Sequence, residues 1–191
     1  STARTGVISV RALGGNYIYN TEIKGNTINS TGTDYAINLI WPGLTSSPQN
    51  ITVINNTIIS SDSYAIYAPH SQGYLNITGN DYIDNNQDGI YILNATDTTS
   101  GIIIENENLT DVTLTQLYLN NVTEINITNV TLSRHGLYTN ASNVTIINLT
   151  FTNTNGTIYV PSTIINDTEE FNSSQRVFIE NNLIGIYAEL S

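Results

Sequence analysis

Residues 50–68 read NITVINNTIISSDSYAIYA, and this stretch decides the fold. It holds two signatures. The first, Val53-Ile54-Asn55-Asn56-Thr57-Ile58, sets a polar corner between apolar residues. The second, Ser63-Tyr64-Ala65-Ile66-Tyr67, is an alternating strand reached through a short polar turn. Alternation of apolar and polar residues is the mark of a half-buried β-strand. Asn and Gly suit corners because they tolerate left-handed backbone.

Both signatures recur in the same order. Corners read Ile23-Lys24-Gly25-Asn26-Thr27-Ile28, then 53–58, then Ile77-Thr78-Gly79-Asn80-Asp81-Tyr82. A copy one residue long follows at 103–109, IIENENL. Two copies carry an apolar residue at the corner, Ile127-Thr128-Asn129-Val130-Thr131-Leu132 and Ile146-Ile147-Asn148-Leu149-Thr150-Phe151, and the last is Phe178-Ile179-Glu180-Asn181-Asn182-Leu183. The fourth position falls at 26, 56, 80, 106, 130, 149 and 181. The second signature is centred on Ile37, Ile66, Ile90, Leu117, Leu137, Ile158 and Ile186. The residue after it is Asn38 in the first copy, then Tyr67, Tyr91, Tyr118, Tyr138, Tyr159 and Tyr187.

A repeat this short cannot bury an apolar face alone, so stacking must build the core. The pattern predicts an all-β protein: a single-stranded right-handed parallel β-helix of about seven coils, roughly 34 Å long at one strand spacing per coil. An extra N-terminal strand lies within 1–15, where Val7, Ser9, Arg11 and Leu13 share one face and Ile8, Val10 and Ala12 the other. It either caps the first coil or is donated to a neighbouring molecule. The repeats fill 16–191, with loops at 41–48 and 161–176; loops on a regular scaffold are the usual place for function.

The bulk numbers narrow the partners. The 191 residues carry a net charge of −11 and only 11% charged residues, with 39% hydrophobic. Acidity argues against nucleic acid and anionic membranes, and no apolar run reaches the ~18 residues of a membrane span. There is no cysteine and no methionine, so thiolate chemistry is excluded. The chain is expected to start at a processed end or to be a fragment.

The repeat resembles the right-handed parallel β-helix that pectate-lyase-like enzymes share with many microbial surface proteins, over residues 17–188. Its Asn-, Ile- and Thr-rich, cysteine-free character looks most like the adhesin-like surface proteins of archaea, methanogens above all. The resemblance implies an extracellular, cell-surface location; it speaks to fold more than to function.

Four sets of residues are candidates for chemistry. Sequons Asn-X-Ser/Thr stand at Asn29, Asn50, Asn55, Asn76, Asn94, Asn108, Asn121, Asn126, Asn129, Asn140, Asn143, Asn148, Asn155, Asn166 and Asn172, and point to N-glycosylation. The same spacing also follows from a repeat rich in Asn and Thr. Asp84-Asn85-Asn86-Gln87-Asp88-Gly89 fits the front half of a calcium loop, with Asp84, Asn86 and Asp88 as ligands; an ordinary Asx-rich turn reads the same way, and the twelfth position is Ala95. Calcium is the one cofactor the sequence suggests. Pectinolytic relatives would need clustered aspartates on adjacent coils. Here Asp81, Asp84 and Asp88 sit in one coil, and Arg134-His135-Gly136 lacks the accompanying acidic motifs, so no catalytic residue is assigned. Trp41 and the tyrosine column offer a carbohydrate-binding face, or a ladder that stabilises the sheet.

The expectation is a non-enzymatic, glycosylated structural protein whose partners are copies of itself, joined end to end into a filament, sheath or layer, and surface glycans. The alternatives are a carbohydrate-binding adhesion module and, further off, a polysaccharide lyase or hydrolase.

Overall fold

The structure is a computed structural model that describes residues 6–11, 19–30, 35–40, 49–59, 63–69, 74–83, 88–95, 101–110, 112, 116–133, 137–152, 157–161, 177–180 and 185–189. Every regular element among them is a β-strand. In chain order these are β1 (Gly6–Arg11), β2 (Tyr19–Lys24), β3 (Thr27–Asn29), β4 (Tyr35–Ile40), β5 (Gln49–Ile54), β6 (Thr57–Ile59), β7 (Tyr64–Pro69), β8 (Leu75–Thr78), β9 (Asp81–Ile83) and β10 (Asp88–Ala95). There follow β11 (Ile102–Glu105), β12 (Leu117–Ser133), β13 (Leu137–Thr152), β14 (Thr157–Pro161), β15 (Val177–Glu180) and β16 (Gly185–Glu189).

All strand pairs are parallel, and each strand pairs with its counterpart one repeat away. Three strand columns result. One holds β2, β5, β8 and β11. The second holds β3, β6 and β9, extended by the bridges Asp81 to Asn108 and Asn108 to Thr131. The third starts β1, β4, β7, β10. Strands β12 and β13 join all three columns, because each runs on through two corners as one strand. At 17 and 16 residues they far exceed the usual strand length. Strand β12 turns where asparagines take left-handed backbone, Asn121 at φ 54° and Asn129 at φ 52°, and its register with β13 shifts between Asn120 and Val122.

Isoleucines and leucines from each column meet inside. Ile37, Ile66, Ile90 and Leu117 lie in register, as do Val53, Ile77, Ile104 and Ile127, and all are fully buried. Fully burying such a side chain contributes about 1.5–3 kcal/mol, so the stacked columns are the main source of stability. The tyrosine column expected from the second signature is present: Asn38, Tyr67, Tyr91, Tyr118 and Tyr138 are in register, then Tyr159 and Tyr187.

Three details differ from the sequence reading. The fourth corner is not one residue long. Ile104 pairs with Ile77 and Glu105 with Thr78, so the repeat unit is Ile104–Leu109, six residues like the others, and its fourth position is Glu107, not Asn106. The error came from matching asparagine to asparagine, whereas the backbone matches the preceding isoleucines. The last copy also shifts: Val177 lies opposite Leu149 and Ile179 opposite Phe151, so Val177 rather than Asn181 takes the fourth position. Apolar residues at 177 and 179 satisfy the alternation in either place. Finally, β1 is in register with the repeat: it pairs with β4, Ile8 opposite Ile37.

The first coil replaces tyrosine with Asn38, and the ring of Tyr35 stacks on Tyr67 instead, 4.5 Å away at 13°. Asn38 is fully buried, and neither its Nδ2 nor its Oδ1 has a partner among the described residues. A buried carboxamide without bonds costs about 1–3 kcal/mol. Asn38→Leu, close in shape, is therefore expected to stabilise the protein by about 1 kcal/mol or more, read as a rise in denaturation midpoint at constant m-value; a fall would show that the amide is bonded in solution.

Candidate functional site

The corner between the first two strand columns carries two adjacent positions with opposite fates. The first holds Gly25, Asn55, Gly79, Asn106 and Asn129, all at positive φ between 52° and 65°. Left-handed backbone is open to Gly and tolerated by Asn, which explains the restriction. Its Asn55, Asn106 and Asn129 are exposed. The second position holds Asn26, Asn56, Asn80, Glu107 and Val130; Asn56, Asn80 and Glu107 are 1%, 3% and 1% exposed.

Buried polar groups must be bonded, and these bond to one another. Asn26 donates to Asn56 Oδ1 from its backbone N at 3.0 Å and its Nδ2 at 2.9 Å. Asn56 donates the same pair to Asn80 Oδ1, at 3.0 and 2.9 Å. Asn80 donates both to Glu107 Oε1, at 3.1 Å each. Side-chain amides also reach the carbonyls of the preceding coil, Asn56 to Ile23 at 2.9 Å and Asn80 to Val53 at 3.0 Å. The ladder ends on Glu107, whose Oε2 accepts from the Tyr82 hydroxyl at 2.6 Å. In the next coil Val130 takes the position.

Burial pushes the Glu107 carboxyl up from 4.5 to about 7, against hydrogen bonds from Tyr82, Asn80 and Gly79 that pull it down. Tyr82 is raised well above 10, first by burial and then by the charge of Glu107, so it stays a neutral donor. Glu107 was not singled out from sequence. The signal was its place three residues after Ile104, the apolar start of its repeat, where earlier copies carry asparagine.

The sequons divide by environment. Asn29, Asn50, Asn55, Asn108, Asn121, Asn126 and Asn129 are exposed; Asn76 and Asn94 are half-buried. Several already bond along the surface. Asn50 Nδ2 donates to Asn20 at 3.1 Å, Asn121 to Asn94 at 2.8 Å, and Asn129 to Asn106 at 3.0 Å. Asn76 accepts from the Thr78 hydroxyl. Asn140, Asn143 and Asn148 lie in β13, whereas Asn155, Asn166 and Asn172 fall outside the described residues. None of the ladder asparagines 26, 56 and 80 is a sequon.

Of the calcium-loop residues, Asp88 begins β10 opposite Tyr64; Asp84 and Asn86 lie outside the described residues, as does Trp41. Arg134, His135 and His70 lie outside them too. Among the described residues no three of His, Asp and Glu come together as a metal site. The tyrosine rings pack on one another, Tyr91 stacked on Tyr118 at 4.3 Å and 3°, Tyr64 tilted against Tyr91 at 4.4 Å and 46°. Their faces are thereby occupied by neighbours. Burial and the adjacent phenols raise the pKa of Tyr91.

A family model described as a right-handed β-helix region matches residues 43–189. The chain belongs to the right-handed β-helix family, which includes both enzymes and proteins without catalytic activity. No curated protein and no solved structure matches it.

The raised carboxyl makes stability fall with rising pH. Unfolded, Glu107 loses its proton near 4.5; folded, it holds it until about 7. Its effect is therefore absent below pH 4.5, grows between 4.5 and 7, and is complete above 7, where it reaches about 3 kcal/mol at most. Glu107→Gln keeps an acceptor for Asn80 and should remove this slope. Denaturation midpoints taken from pH 4 to 8 check it, and an unchanged slope in the variant would refute the assignment.

Proposed function

We propose that the chain is a non-enzymatic extracellular structural protein of a microbial, archaeal cell surface, N-glycosylated, and joined end to end with copies of itself into a filament, sheath or layer. The observation that carries this reading is register. Strands β1 and β16 are the outermost rungs of the third strand column among the described residues, and the pairs carry Ser9 through Asn38, Tyr67, Tyr91, Tyr118, Tyr138 and Tyr159 to Tyr187, a register that sets Val7 to Arg11 level with β16. A second copy laid with its β1 along β16 would set Ile8 over Ile186, Val10 over Ala188 and Arg11 over Glu189. Apolar columns would continue across the joint, and opposite charges would face each other. A parallel edge left open is an association surface, and contacts of this head-to-tail kind propagate. Val7 is the one large hydrophobic residue exposed among the described residues, at 46%, and it lies on β1.

Sequons at exposed corners support the glycosylated part of the reading. The close packing of the tyrosine rings on one another weighs against a carbohydrate-binding strip, which needs free ring faces. Acidity, at −11, weighs against nucleic-acid partners.

Electron microscopy of the native material should show linear assemblies. Arg11→Glu should shorten or abolish them, and Arg11→Glu with Glu189→Arg should restore them. Monomers alone at high protein concentration would overturn the proposal. Calcium at Asp84, Asn86 and Asp88 belongs to the same proposal: added Ca²⁺ should raise the melting temperature, by about 2.7 kcal/mol of stability at a hundredfold excess over Kd. Asp84→Asn with Asp88→Asn should abolish that rise, and a rise that survives would place the ion elsewhere.

A further inference from the structure

We infer that Asn55 carries a covalent glycan, seated in a slot that Gly25 and Gly79 clear on the neighbouring coils. The inference rests on the glycosylated reading above and names the site. Three observations meet at this residue. Asn55 is exposed and left-handed, at φ 52°, so its side chain projects from the corner while Asn56 turns inward. Among the described residues its carboxamide has no hydrogen-bond partner, while its backbone N donates to Thr78 O at 3.1 Å. The exposed sequons Asn50, Asn121 and Asn129, by contrast, commit their Nδ2 to the adjoining coil.

The third observation is the pair of glycines. Along this corner column the rungs beside Asn55 are Gly25 and Gly79, both at φ 65°. A Cβ on Gly25 would meet nothing within 4 Å, and one on Gly79 would sit 2.8 Å from Asn55 Oδ1. Asn55 therefore lies across the bare backbone of Gly79. Coils repeat every ~4.8 Å, and a pyranose ring is wider than one such step. A sugar on any rung must overhang its neighbours, and Asn55 is the sequon in this column with no side chain on either side.

The step needs a sugar activated at its anomeric carbon as a phosphate ester of a lipid carrier, and a transferase that uses it. A bond forms from Asn55 Nδ2 to the anomeric carbon, the bond from that carbon to phosphate oxygen breaks, and the carrier phosphate leaves. The amide gives up one proton to solvent and keeps the other.

Glycopeptide mass spectrometry of the native protein, cut with chymotrypsin, tests the site. The peptide holding Asn55 is expected to carry a hexose-containing mass, and Thr57→Ala to abolish it. Gly79→Asn, which tolerates the backbone and creates no sequon, should place a side chain under Asn55 as Asn129 lies beside Asn106. Occupancy at Asn55 should then fall by more than half while the circular dichroism of the sheet is kept. An unmodified Asn55 beside glycosylated sequons elsewhere would overturn this inference alone. A protein with no modified asparagine would overturn the glycosylated reading as well. Full occupancy in a folded Gly79→Asn variant would refute the slot.

Discussion

The hydrogen bond from one corner carboxamide to the next is the constraint on which the solenoid depends. Apolar columns alone do not choose a register sharply, since Ile, Val and Leu pack on one another at many offsets. Asn56 does choose. Its backbone N and Nδ2 both reach Asn80 Oδ1 only when the two coils stand level, and any slip leaves buried donors and an acceptor unpaired. Each such loss costs about 1–3 kcal/mol, and a one-residue slip would also turn the isoleucines outward. Polar bonds of modest net strength thus specify the register that the hydrophobic columns then stabilise.

The ladder is also directional. Each rung donates toward the C-terminal side, so the last acceptor receives bonds and passes none on. That place falls to Glu107, whose two oxygens accept from Asn80 on one side and Tyr82 on the other. A carboxylate is an acceptor alone, which suits the end of a donor chain better than another asparagine, whose amide hydrogens would point at Val130. Burial raises its pKa, so the terminus that completes the ladder also makes the corner sensitive to pH. Beyond it the corner is apolar, and packing replaces hydrogen bonding.

Most of the architecture was legible because columns of the same residue type are what a stacked coil requires. Tyr67, Tyr91 and Tyr118 could be aligned by eye, and the structure pairs them. Glu107 was not legible, since asparagine at 106 and 108 drew the alignment off by one and only the pairing of Ile104 with Ile77 corrects it. Nor could sequence separate Asn55 from Asn56, two like residues side by side. Asn38 was visible as an exception to the tyrosine column, but its burial depends on Tyr35 taking the vacant ring position, which no local pattern announces.

Strand parity resolves the ambiguity over the sequons. A ladder asparagine faces inward, and so does the residue two positions later: Ile28 after Asn26, Ile58 after Asn56, Tyr82 after Asn80, each no more than 2% exposed. That place must be apolar and cannot be the Ser or Thr of a sequon. The residue just before the ladder faces outward, and its second neighbour does too, being Thr57 after Asn55 and Thr131 after Asn129. Alternation therefore sorts the asparagines without selection for glycosylation: those that hold the fold fall outside the sequon, and those that form one at the corner are outside the core. The abundance of Asn-X-Thr is by itself weak support for sugar. What distinguishes one sequon from another is the room around it, and room is a property of the neighbouring coils.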